Sequence, residues 1–97
     1  MTTRWLIAPE AAADLERLTE FLLQSAPEMA LETVDVIVNG LGILAQHPLV
    51  GRPMPGGLRE LVISRGRTGY LALYSYDAQA DVVLVLAVRH QRENDYH

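Results

Sequence analysis

The chain contains no cysteine and no lysine. The first absence removes disulfides and thiolate metal sites, so stability has to come from packing, and it fits a reducing compartment. The second leaves arginine as the only cation, with eight arginines facing twelve acids for a formal net charge of -4. Nucleic-acid binders ordinarily carry a basic excess, because phosphate contacts supply most of their affinity. A chain of this balance can offer only a local basic patch. The three histidines, His47, His90 and His97, lie far apart, and none forms a two-histidine helical spacing. No glycine loop matches a phosphate cradle and no serine sits in a nucleophile elbow, so neither a metal nor a cofactor is expected. Apolar runs long enough to span a bilayer are missing, as is a basic start followed by an apolar core and a small-residue cleavage site. The expectation is a cytoplasmic protein with no membrane partner.

What is present is the patterning of one domain over residues 1–97, with 49% apolar and 21% charged residues. Arg4 to Ala8 form a short, largely apolar stretch. Pro9-Glu10 then gives proline at a first helical position with an acid in the first turn. Ala11, Leu15, Leu18 and Leu22 recur at helical spacing, with Phe21 widening the stripe. Pro27-Glu28 repeats the start signal, and Ala30, Val34, Ile37, Leu41 and Leu44 continue a second helix that His47-Pro48 stops. Gly40 and Gly42 each cost about 1 kcal/mol relative to alanine inside a helix, which predicts close approach of a neighbour.

Gly51 to Gly57 holds too many breakers for regular structure and reads as one long loop. Three strand-like runs follow, Leu58–Ser64, Tyr70–Tyr76 and Val82–Arg89, separated by two five-residue turns. They predict an antiparallel meander with the last and most apolar run at the centre, and Arg4 to Ala8 beside one of the other two strands. The fold class is α+β, in the order β-α-α-β-β-β, with the helical hairpin on one sheet face and the other face left for function.

The chemistry concentrates at the end of the last run, where Arg89, His90 and Arg92 follow a buried strand. Alternation puts Tyr70, Tyr74 and Tyr76 on one face, either covering the sheet or lining a groove for a partner. His90, in step with Leu84, Leu86 and Val88, is either a cap on one sheet face or a functional base. Arg59 shares the parity of Leu61 and Ile63, so it sits at a bulge, pairs with an acid such as Glu10 or Asp14, or acts on a ligand. Arg52, Arg65, Arg67 and Arg92 are candidates for a cationic rim, with Tyr96 close to it in sequence. Trp5, Met54 and Leu58 are candidate exposed apolar contacts that would make the isolated chain poorly soluble.

Four segments in this order, Ala8-Pro9-Glu10-Ala11-Ala12-Ala13-Asp14-Leu15, Leu44-Ala45-Gln46-His47-Pro48 with Gly51-Arg52, Gly57-Leu58-Arg59-Glu60-Leu61 and Leu86-Ala87-Val88-Arg89-His90-Gln91-Arg92, are similar over almost the full length to the RelE/ParE superfamily of toxins. These belong to bacterial type II toxin-antitoxin systems of the plasmid-stabilisation type. The resemblance implies a compact toxin wrapped and neutralised by a cognate antitoxin. RelE-like members cut messenger RNA on the ribosome, whereas ParE-like members poison DNA gyrase. The two fairly long helices, the Leu58-Arg59 strand, the acidic balance and the absence of lysine favour the ParE-like branch. In the ribonuclease branch the resemblance would give Arg59 and Arg89 or Arg92 the phosphate charge, and His90 or Tyr96 the protons. A degenerate member that keeps the fold without toxicity is the third expectation.

Overall fold

The computed structural model describes residues 2–65, 68–93, 95 and 96, with backbone alone for Ser64, Arg65 and Thr68. Pro9 opens helix α1 (Pro9–Ser25) and Pro27 opens helix α2 (Pro27–Gly42), each followed by a glutamate in the first turn. Proline is tolerated there because its missing N–H would have no intrahelical partner, and the acid complements the helix dipole. Only Ala26 separates the two helices, so they fold back on each other as a hairpin. Ala11 and Leu18 of α1, with Ala30, Ile37 and Leu41 of α2, are buried as their spacing predicts. Leu44 is buried too, but in a short 3-10 turn, Ile43–Ala45, that follows α2.

The sheet has five strands, β1 (Arg4–Ile7), β2 (Arg52–Met54), β3 (Leu58–Arg65), β4 (Thr68–Asp77) and β5 (Val82–His90), in the order β1-β5-β4-β3-β2. Strands β3, β4 and β5 form the antiparallel meander, and β1 joins β5 in parallel, with Arg4 opposite Val82 and Ile7 opposite Val85. Three expectations are corrected. The stretch from Gly51 contains β2, an edge strand antiparallel to β3, because an outer strand can carry Pro53 without losing a needed donor. With β1 outside β5 and β2 outside β3, the middle strand is β4, and β5 lies one place from it. The first strand pairs with β5 itself and not with either of the other two runs, because β5 needs a neighbour on the side that β4 leaves open.

A register shift falls between Leu73 and Tyr74, where Leu73 faces Ala87 but Tyr74 faces Val85. The extra residue on β5 exchanges its faces. Val83 and Val85 before the shift, then Val88 and His90 after it, share the helix-covered side with Tyr70, Ala72 and Tyr74 of β4. His90 is therefore on the side opposite Leu84, not in step with it. The core fills the space between this side and the hairpin with Leu61, Ile63, Tyr74, Val83, Val85 and Val88 against Leu18, Ile37 and Leu41. At Gly40 a Cβ would lie 2.9 Å from Ile63 Cγ2, so close approach explains that glycine, whereas nothing lies within 4 Å at Gly42. Among the described residues no helix is long and apolar enough to cross a membrane.

Candidate functional site

Strand β1 stops at Ile7, so past Val85 the outer side of β5 has no strand beside it. Helix α1 takes over. Asp14, only 4% exposed, accepts the Val88 N–H through Oδ2 at 2.9 Å, while Arg17 Nη2 reaches the Val88 carbonyl at 3.5 Å. Arg17 also pairs with Asp14 at 3.4 Å and with Glu93 at 2.7 Å. Glu93 in turn accepts the His90 N–H at 2.9 Å. The Arg92 N–H donates to His90 Nδ1 at 3.1 Å, which makes Nε2 the protonated nitrogen of the neutral imidazole. The His90 ring meets Tyr70 edge to face at 5.2 Å. Between this turn and the last two turns of α1 lies a cavity of about 480 Å³. Leu18, Phe21, Leu22 and Tyr70 form its apolar walls, and Arg17, His90 and Arg92 stand among its polar lining.

The face of the sheet without helices carries a second cluster. Glu60 of β3 is 2% exposed and accepts from Arg52 Nε at 2.8 Å and from the Tyr96 hydroxyl at 2.6 Å. Burial favours the neutral acid, but the Tyr96 hydroxyl and the Arg52 guanidinium outweigh it and hold the carboxyl below its ordinary range. Burial, with the hydrogen bond to Glu60, pushes the Tyr96 phenol up. Arg89 lies with its guanidinium carbon 5.1 Å from the Tyr96 ring centre and donates to the Glu93 carbonyl. Its Nε is buried without a hydrogen-bond partner among the described residues.

The residues singled out from sequence are not brought to one place. Arg59 donates to the carbonyls of Leu49 and Gly51 at 3.1 and 2.8 Å, pinning the approach to β2 instead of pairing with Glu10 or Asp14. Its β4 partner is Tyr74 and that of His90 is Tyr70, about 13 Å apart along the strand. Arg89, opposite Leu71, points to the other face from His90. Of the supposed cationic rim, Arg52 and Arg92 are both exposed but stand three strands apart, about 14 Å across the sheet. Arg67 lies outside the described residues, and nothing is described of the Arg65 side chain.

Tyr74 lines no open groove. It is fully buried, accepts the Gly51 N–H at 2.8 Å and donates to the Pro48 carbonyl at 2.9 Å, because its face is the one the hairpin covers. Tyr70 is 4% exposed and does border the cavity. Trp5, Met54 and Leu58 are half-buried, and the prominent exposed apolar side chains are Phe21, Leu23, Leu31, Leu49 and Val50. Sequence reasoning missed Glu60, Glu93 and Arg17. The available signal for Glu60 was an acid set between Leu58 and the apolar run Leu61-Val62-Ile63, on the face opposite to Arg59 by alternation, where it has to be paired to be buried. Among the described residues no group of three or more His, Asp or Glu is placed to hold a metal ion.

A family model described as the ParE toxin of the type II toxin-antitoxin system, parDE, matches residues 6–95. Toxin RelE3 of Caulobacter vibrioides is 36% identical over 87 residues, spanning 90% of this chain and 92% of that protein. Two solved structures share the fold. The chromosomal ParDE TA system from P. aeruginosa superposes with a TM-score of 0.75 at 24% identity, covering 91% of this chain and 95% of that one. The toxin-antitoxin complex RelBE2 from Mycobacterium tuberculosis gives 0.58 at 27% identity, covering 94% and 100%.

Proposed function

We propose, from the premise that this chain belongs to the ParE toxin family of type II toxin-antitoxin systems, that it acts by binding DNA gyrase and not by cutting RNA. It is the toxin of such a system, and its partner is an antitoxin. The observation that carries the gyrase reading is the dispersal of Arg59, Arg89, His90 and Arg92. Metal-free RNA cleavage needs a base for the 2'-hydroxyl, cations on the phosphate and an acid for the leaving oxygen, all within hydrogen-bond reach of one another's substrate atoms. Here Arg59 is occupied by loop carbonyls, and Arg89 and His90 project from opposite sheet faces. The exposed cations Arg52 and Arg92, with Arg65 at the end of β3 and Arg67 two positions after it in sequence, are proposed contacts for acidic antitoxin residues. Purified toxin added to gyrase is expected to block supercoiling while cellular messenger RNA stays intact. Unaffected gyrase at excess toxin, together with cleaved messages, overturns the proposal.

One observation favours a second reading, a ribosome-dependent ribonuclease. Arg89, Tyr96 and Glu60 do meet on the open face, supplying a cation, a phenol and a carboxylate side by side. In that case Arg89→Ala and Tyr96→Phe should each abolish message cleavage on translating ribosomes while circular dichroism still reports a folded chain. A chain that permits normal growth when induced without antitoxin would instead be a member that has lost toxicity.

A further inference from the structure

We propose that the cavity beside α1 is an interface with a second copy of this chain, and that it receives Leu31 of that copy. The cavity asks for an apolar insert, since its walls are Leu18, Phe21, Leu22 and Tyr70, with Phe21 65% exposed at its edge, and at about 480 Å³ it has room for a leucine together with the helix atoms around it. Its lining also carries Glu93, whose charge is met by Arg17, and Arg92, an exposed cation that makes no ion pair with any described residue. A fitting occupant is therefore a helix that presents one prominent aliphatic residue flanked by carboxylates.

The chain carries such a helix. Leu31 is 82% exposed, the most exposed large apolar residue among those described, because it falls off the buried stripe of Ala30, Thr33, Ile37 and Leu41 on α2. Glu28 and Asp35, three residues before and four after it, share its side of the helix and are exposed. Residues 9–42 hold seven acids and one arginine, so two hairpins repel unless cations of one face carboxylates of the other. Arg92 at the cavity and Asp35 beside Leu31 meet that condition across two copies.

Knob and cavity both lie at the joined end of the hairpin, Leu31 in the second turn of α2 and Phe21 and Leu22 in the last two turns of α1. A two-fold axis beside that end lets each copy give its Leu31 to the other, which closes the assembly as a dimer instead of extending it. The interface is small, so association depends on concentration.

Sedimentation velocity on the purified full chain over a range of concentrations tests this, without gyrase present, so that the outcome stands apart from the target question. The expected result is a reversible monomer–dimer shift. Leu31→Asp should weaken it by about tenfold or more while circular dichroism stays unchanged, since the side chain has no packing to lose within its own chain. Arg92→Glu and Asp35→Arg should each weaken association, and the double variant should recover it by exchanging the charges. A monomer at every concentration, an unaffected Leu31→Asp dimer, or no recovery in the double variant overturns the proposal. If the monomeric chain crosslinks through a photoreactive residue placed at Phe21 to a co-expressed antitoxin, the cavity belongs to that partner instead.

Discussion

The Asp14 carboxylate accepts the Val88 N–H at 2.9 Å and so does for β5, beyond the end of β1, what the carbonyl of a neighbouring strand would do. Removing it leaves a buried donor without a partner, which costs about 1–3 kcal/mol. Asp14→Ala should lower the melting temperature clearly, Asp14→Asn should recover part of the loss because its amide oxygen still accepts, and Glu16→Ala on the exposed side should change little. Thermal denaturation followed by circular dichroism checks the series.

Glu60 links stability to acid pH. Its folded carboxyl titrates below the ordinary 4.5, so the stabilisation is present above that value and is lost as pH falls through the lower folded value. Glu60→Gln should be less stable than the parent at neutral pH, and the gap between them should close on acidification. Urea midpoints measured between about pH 3 and pH 7 report this. Equal slopes for the two proteins would show that Tyr96 and Arg52 do not hold the carboxylate.

The Tyr74 hydroxyl bridges Pro48 and Gly51 from inside the core. Tyr74→Phe keeps the packing and removes both hydrogen bonds, with an expected loss of about 1–3 kcal/mol. Hydrogen exchange should accelerate at the Gly51 amide more than at Val83 or Val85. Gly51→Ala should be worse, because a Cβ there would lie 2.6 Å from the Tyr74 ring and hydroxyl and 3.0 Å from the Glu60 carbonyl.

Two glycines at the end of α2 should respond with opposite sign. Gly42→Ala meets nothing within 4 Å and should stabilise by up to about 1 kcal/mol through helix propensity. Gly40→Ala drives a methyl to 2.9 Å from Ile63, and overpacking of this kind costs about 1–3 kcal/mol, more than propensity returns. Adding Ile63→Val should not relieve it, since valine keeps Cγ2, whereas Ile63→Ala should. Chemical denaturation of the four variants decides.

The helices were legible because their signals are local. Pro9 and Pro27 mark both starts, and the stripes through Leu18 and Ile37 identify the buried faces. The meander was legible for the same reason, from runs bounded by turn residues. What sequence hid was parity and partnership. One extra residue on β5 near Leu86 moves His90 to the opposite face, and no composition signal announces a bulge. The sheet order likewise depends on a parallel pairing between segments almost eighty residues apart. Arg59, Arg89 and His90 read together as a candidate site because they were judged by residue type, and the backbone then assigned them to different faces and different ends of the strands.

Since β1 rests on β5, the sheet cannot be finished until Val82 to Val85 have been made. The segment from Arg4 to Ile7 must wait for Val82 to Val85, almost eighty residues further on, before it has a strand beside it, and so long a closure slows folding. A product of interrupted translation that ends before Val82 loses at one stroke the mate of β1 and the strand on which α1 is anchored. Partial synthesis therefore yields no reduced version of the protein, only an open fragment with its apolar faces unprotected, suited to proteolysis.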